Sequence, residues 1–327
     1  MRKVFTYMAL GILSILFSKE LKSQQITLFS QYLNNQYLIN PAATNISNQL
    51  EADLSIRTQK SQTIRNINSY YFSVYGALGF VNPRQKTSNG FRERERVDFS
   101  TVKYYNPKPI PVIGISTAKD NFDLVQRNTF HLTTGLHLPL NAQYTISAAA
   151  SMGRVQLNVS DNYFVLEDSD VPFHQFINAF SRRNFLDLGM GLYLYSDKVQ
   201  LGIGMVRVFA GNSTDVNHEE SFRIKNQFNL SLGYKLQLNK DWSLTPQVLI
   251  SQNGIYGSRT DYSIRINYRE SLWSTISMRN KTILVFNLGV KVTPQLTIIY
   301  AYDHGAFNEG MQSLSANELA LKISLTN

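Results

Sequence analysis

Residues 222 to 238 alternate between apolar and polar side chains with one interruption. Phe222, Ile224, Phe228, Leu230, Leu232, Tyr234, Leu236 and Leu238 share one parity; Arg223, Lys225, Gln227, Asn229, Ser231, Lys235 and Gln237 share the other. Asn226 alone spoils the apolar side. A period of two over this span is a β-strand with one apolar and one charged face. It is roughly three times the usual length of a strand in a soluble sheet. Such a strand suits a closed barrel in a bilayer, apolar toward lipid and polar toward a wet lumen.

The same alternation recurs. Phe130, Leu132, Thr134, Leu136 and Leu138 oppose His131, Thr133, Gly135 and His137; Leu186 to Leu194 oppose Asp187 to Tyr195. Tyr262, Ile264, Ile266 and Tyr268 oppose Ser263, Arg265, Asn267 and Arg269; Leu319 to Leu325 oppose Glu318, Lys322 and Ser324. Fourteen segments read as strands, over 50–58, 69–78, 111–119, 128–140, 143–156, 185–196, 198–208, 222–238, 241–252, 259–269, 271–279, 282–293, 295–303 and 316–325.

The connections are expected to sort by parity. Even-numbered ones are tight, as at Asn141-Ala142, Ser196-Asp197-Lys198, Asn239-Lys240, Arg269-Glu270 and Thr293-Pro294-Gln295. Odd-numbered ones are longer, at 59–68, 120–127, 157–184, 209–221, 253–258 and 304–315. Short turns at one end and long loops at the other are the layout of an outer-membrane barrel, with the short end periplasmic. Two connections depart from it: the odd turn at Asn280-Lys281 is short, and the even connection 79–110 is long. The latter is either an insertion without regular structure or a periplasmic contact arm. Trp242 and Trp273 each follow a tight turn, which reads as an inner interfacial girdle or as two packed indoles.

Mean hydropathy is −0.20, too polar for a bundle of membrane helices but ordinary for a barrel, where half of each strand meets water. Arg2 and Lys3 precede an apolar run from Val4 to Phe17, which reads as a secretory signal with cleavage expected after Ser23; the alternative is a short N-terminal helix. The chain then divides into a signal peptide at 1–23, an extended plug segment at 24–49 and a barrel at 50–327. Fourteen strands enclose more space than side chains alone can fill, and 24–49 is available to fill it. Both mature termini are expected on the periplasmic side of the outer membrane.

The net charge of +9 can signal nucleic acid, but export argues against that partner. The densest basic run holds Arg84, Lys86, Arg92, Arg94 and Arg96, interrupted by Glu93 and Glu95. It is either a solvated loop or a docking surface for an acidic partner or lipid head groups. On the polar strand faces, Arg223, Lys225, Lys235, Arg265, Arg269, Lys291 and Lys322 outnumber Asp187, Asp303 and Glu318. The preferred reading is a paired, hydrated wall with the plug against it; the other is an electropositive lumen.

Little points to catalysis. The chain has no Cys, so it has neither disulfides nor a thiolate metal site. None of its five His forms a metal-type pair, and His131 and His137 are about 20 Å apart along one strand. Glu167, Asp168 and Asp170 lack an EF-hand pattern and read as a solvated loop before a calcium site. The expectation is a protein that binds, is not an enzyme, and needs no cofactor or metal.

Phe29-Ser30-Gln31-Tyr32, then Asn35, then Asn40-Pro41-Ala42 resembles the opening of the PorP/SprF family. The resemblance continues through Gly114-Ile115-Ser116 to Asp120, Tyr193 to Lys198, Leu244 to Leu249, Thr293-Pro294, and Tyr300-Ala301-Tyr302-Asp303. The family's Ser-His-Glu-like triplet reads Ala316-Asn317-Glu318 here, so only the Glu carries over; the chain ends Leu325-Thr326-Asn327 without an aromatic residue. The resemblance implies an outer-membrane component of type IX secretion. It implies as partners a secreted adhesin-type substrate or its C-terminal domain, or a periplasmic lipoprotein and the secretion ring. Phe29, Gln31, Tyr32, Asn35, Asn40, Pro41, Arg92, Arg94 and Arg96 are the candidate partner-binding residues, with loops 157–184 and 304–315 facing the cargo. Asn40-Pro41 is expected to fix the turn into the first strand, since a residue before proline avoids the helical region.

Overall fold

The computed structural model describes residues 29–44, 50–60, 67–77, 109–122, 125–141, 143–159, 183–206, 226–253, 257–269, 271–305 and 314–325. These form fourteen antiparallel strands: β1 Leu50–Lys60, β2 Ile67–Ala77, β3 Ile110–Phe122, β4 Val125–Pro139, β5 Thr145–Val159, β6 Arg183–Tyr195 and β7 Val199–Val206. Then follow β8 Gln227–Tyr234, resuming at Leu236–Gln237, β9 Trp242–Asn253, β10 Gly257–Tyr268, β11 Leu272–Arg279, β12 Ile283–Lys291, β13 Leu296–Gly305 and β14 Leu314–Leu325. Each strand pairs with the next, and β14 pairs with β1 along the whole length of β1, so the sheet closes.

The barrel is inside out relative to a soluble domain. Leu54, Ile56, Phe72, Ile115, Leu132, Leu192, Leu232, Ile264, Phe286 and Leu319 face outward and exposed. Asp53, Arg57, Asp120, His137, Asn229, Arg265, Arg279, Asp303 and Glu318 are buried inside. The pleat alone produces this sorting: one residue of slip would send every charge to the lipid side. The apolar band lies against hydrocarbon, and backbone closure leaves no strand edge in it.

Short turns carry their own chemistry. Asn141, Ser196, Asn239 and Thr293 each begin an even-numbered connection. In each, the side-chain oxygen accepts hydrogen bonds from the amides two and three residues on. Asn280 (φ 49°) and Lys281 (φ 60°) are both left-handed, the geometry of a two-residue hairpin that follows strand twist.

Several sequence expectations need correction. The odd connections at 120–127 and 253–258 are not long. Strand pairing runs on to Phe122 opposite Val125 and to Asn253 opposite Gly257, so only 123–124 and 254–256 stand between the paired strands, because ladder bonds are made by the backbone and need no alternation of side chains. The strand expected over 222–238 is described from Gln227, and it is interrupted at Lys235. Pro246 stands opposite Tyr234 in the β8–β9 register and has no amide hydrogen to donate, so that ladder lapses between Gln247↔Gly233 and Leu244↔Leu236. Trp242 faces outward beside Tyr268, ring centroids 4.7 Å apart, as a girdle residue should. Trp273 does not join that girdle: it lies on the inward face, with the Arg265 guanidinium 5.5 Å from its ring. Gly289 is its cross-strand partner, and a β-carbon there would strike the indole. The long connection 79–110, the loops 157–184 and 304–315, the signal segment, the basic run with Arg92, Arg94 and Arg96, and the Glu167–Asp170 knot fall wholly or almost wholly outside the described residues.

Candidate functional site: the segment in the lumen

Residues 29–44 lie inside the barrel, nearly all of them buried. Local bonds fold the segment before the wall is considered. The Gln31 carbonyl accepts from the amides of Asn34 (2.8 Å) and Asn35 (3.1 Å), and a single 3₁₀ turn spans Gln36–Leu38. Asn40 makes the second corner: its Oδ1 accepts from the Ala42 amide at 2.9 Å, and its carbonyl accepts from Ala43 at 3.0 Å. Pro41 suits that corner because it presets φ and has no amide to satisfy. The corner lies deep in the lumen and not at the entry to β1, which corrects the expectation for Asn40-Pro41.

One end of the segment sits on a cluster of buried charges. The Ser30 amide donates to Glu318 Oε2 at 2.7 Å, and its hydroxyl donates to Asp303 Oδ2 at 2.6 Å. Arg57 donates to the same hydroxyl at 2.6 Å and pairs with Asp303 at 2.9 Å. Arg279 links Asp303 (3.2 Å) to Asp261 (3.4 Å), and Arg259 pairs with Asp261. Buried charges of this kind persist only when mutually compensated, and here each has an opposite neighbour. The charges on this stretch of wall are therefore paired, although Arg57, Arg259, Asp261 and Arg279 were not among the anticipated ones; Arg265, which was, bonds instead to Thr275 and Asn34.

The middle and far end hold the segment from other directions. Lys322 donates to the Asn34 carbonyl at 2.6 Å, Arg265 donates to Asn34 Oδ1, and Asn35 donates to Ser73 at 3.4 Å. Gln36 donates to Gln200 at 3.1 Å and accepts from the Tyr193 hydroxyl at 2.5 Å. The Tyr37 hydroxyl donates to Thr133 at 2.6 Å, its ring 4.9 Å from that of Tyr75. Asn40 Nδ2 donates to the Leu192 carbonyl at 3.0 Å, and Asn229 donates to the Ile39 carbonyl at 2.8 Å. Ser147 donates to the Ala42 carbonyl at 2.8 Å, while Thr44 meets His137 at 3.1 Å. Tyr32, Leu33 and Ile39 pack with Leu249, and Ala42 packs with Ala149, Tyr193 and Tyr195. Phe29 lies against Tyr71, ring centroids 5.6 Å apart.

The segment thus runs from the β13–β14–β1 wall to the β4–β6 wall opposite. Glycines make its close approaches possible: a β-carbon at Gly191 would collide with the Asn40 side chain, and one at Gly204 with the Ile39 carbonyl. Of the candidate site residues, Phe29, Gln31, Tyr32, Asn35, Asn40 and Pro41 come together here, and the partner they contact is the barrel's own wall. The wall residues that receive them were missed individually. Their signal was the inward parity of polar residues, which identifies a lumenal face but not what fills it.

Residues 21–325 match the profile of a family described as type IX secretion system membrane protein PorP/SprF. No curated protein sequence matches. Among solved structures the chain resembles CymD, a monoaromatic hydrocarbon channel, with TM-score 0.50, 8% identity, and coverage of 92% of this chain and 94% of that one. It also resembles the deltaS2S3 mutant of the monoaromatic hydrocarbon channel TodX, with TM-score 0.52, 13% identity, and coverage of 91% and 94%. These likenesses establish a shared barrel fold.

Proposed function

The chain belongs to the PorP/SprF family of type IX secretion system membrane proteins, and from that premise we propose that it binds a secreted adhesin-type substrate, or its C-terminal domain, and supports that substrate's secretion or surface attachment. Its work in this reading is binding without turnover. It sits in the outer membrane after signal removal, short turns and both termini toward the periplasm. The observation that carries the proposal is the occupied lumen. A segment tied to opposite walls by buried bonds suits a barrel that presents loops to a protein better than one that passes solutes.

The test is a mild-detergent pull-down of the tagged protein from its native outer membrane, with partners identified by mass spectrometry. A large secreted protein held by its C-terminal domain is the expected result. Recovery of a periplasmic lipoprotein and ring subunits without cargo would instead make this a core-machine barrel. High conductance in planar bilayers with no stable protein partner would overturn both readings in favour of a solute channel.

A further inference from the structure

We propose that the lumenal segment is also an assembly staple, which recognises and locks the seam where the last strand meets the first. Every other described strand pair joins neighbours in sequence. The β14–β1 pair alone joins strands separated by most of the chain, so it carries the largest loop-closure cost and the least local guidance.

The seam contains a register code. Arg57 stands directly opposite Glu318, and Asp53 directly opposite Lys322. All four face inward and are buried. A slip of two residues keeps every side chain on its proper face, so the pleat does not forbid it. Such a slip would place Arg57 opposite Ala316 or Ala320 and separate it from Glu318; in the first case Lys322 would exchange Asp53 for Glu51, already 3.6 Å away, so the Arg57–Glu318 pair carries the code.

The strands alone leave these pairs long: Arg57 to Glu318 is 3.5 Å, and Lys322 to Asp53 is 3.4 Å. The segment completes both. Ser30 sits on the first pair, its hydroxyl 2.6 Å from Arg57 and its amide 2.7 Å from Glu318. Asn34 sits on the second, its carbonyl 2.6 Å from Lys322. The segment therefore reads the two strands together, and only in the correct register.

The chain has no native Cys, so a seam reporter can be built cleanly. Ser55→Cys with Ala320→Cys places a pair between the two charged positions; Ser263→Cys with Ser277→Cys is a control across β10–β11. Directly opposed antiparallel residues lie within disulfide range. Cross-link yield is read after oxidation of isolated outer membranes, in the urea-resistant inserted fraction. Ser30→Asp sets a third carboxylate against Asp303 and Glu318. The expected result is a several-fold loss of seam yield with the control yield unchanged. Equal loss at both sites, or no loss at either, overturns the proposal. In the same reporter, Lys322→Met, which removes the donor to the Asn34 carbonyl, lowers seam yield with the control unchanged; an unchanged seam yield also overturns the proposal.

Discussion

At the scale of single residues, the lumen is governed by compensation. Arg57 touches Ser30, Asp303 and Glu318, all buried. Arg57→Met removes the cation and leaves both carboxylates facing each other across Ser30. Breaking a buried pair from one side costs roughly 3–5 kcal/mol. The variant should lose its folded, fast-migrating gel form at a lower temperature than the parent protein. Asn40→Ala loses the bond to the Leu192 carbonyl and the cap on Ala42, about 1–2 kcal/mol together. That loss falls on the segment rather than the barrel, so residues 29–44 should become cleavable by added protease while the strands stay protected. Resistance equal to the parent's would show that the corner does not depend on Asn40. Under the proposed function, replacing Tyr32 and Asn40 together with Ala should abolish cargo retention with the barrel still inserted. The buried positions of both residues predict that the loss would act through a displaced segment, detectable by the same cleavage.

At the scale of elements, strand continuity depends on which amides are present. Pro246 interrupts the β8–β9 ladder opposite Tyr234, while on the other side the Lys235 amide donates to the Lys198 carbonyl at 2.7 Å. Pro246→Ala supplies the missing donor opposite Tyr234. One recovered hydrogen bond is worth about 1 kcal/mol, and amide exchange at residues 234–236 should slow. Unchanged exchange would mean that something other than Pro246 interrupts β8. Across β11–β12, Gly289 leaves room for the Trp273 indole, which in turn stacks on Arg265. Gly289→Val has no such room. It should displace the indole and lower the unfolding temperature, whereas Trp273→Leu with Gly289→Val should recover part of the loss. Absence of any recovery would separate the two positions.

For the whole molecule, the question is whether the segment obstructs the lumen as well as bracing it. Gly191 and Gly204 both lie beneath the Ile39–Asn40 corner. Gly204→Val would drive that corner off the wall without touching the charged anchor at Ser30. Single-channel recording should then show conductance well above that of the parent protein. If the two conduct alike, the segment braces the barrel but does not seal it. The experiment is independent of cargo, so it separates the architecture of the lumen from the secretion role.

Period-two alternation by itself determined an outer-membrane-type barrel of fourteen strands, because a pleated strand sends alternate residues to opposite faces whatever its neighbours are. The turn positions at Asn141, Ser196, Asn239 and Thr293 were legible for the same local reason: their side chains bond amides only two and three residues away. The N-terminal motif was legible as a motif and as a filling for the lumen. Its contacts were not, since Ser30 meets partners at positions 57, 303 and 318, brought together only by closure of the sheet. Glu318 shows the division most clearly. The sequence marks it as the one residue of a family triplet that carries over; only the tertiary structure makes it the acceptor for a plug amide on the closing seam. The inward direction of Trp273 likewise depended on a cross-strand glycine, and register between distant strands is a property of the closed barrel rather than of any one segment.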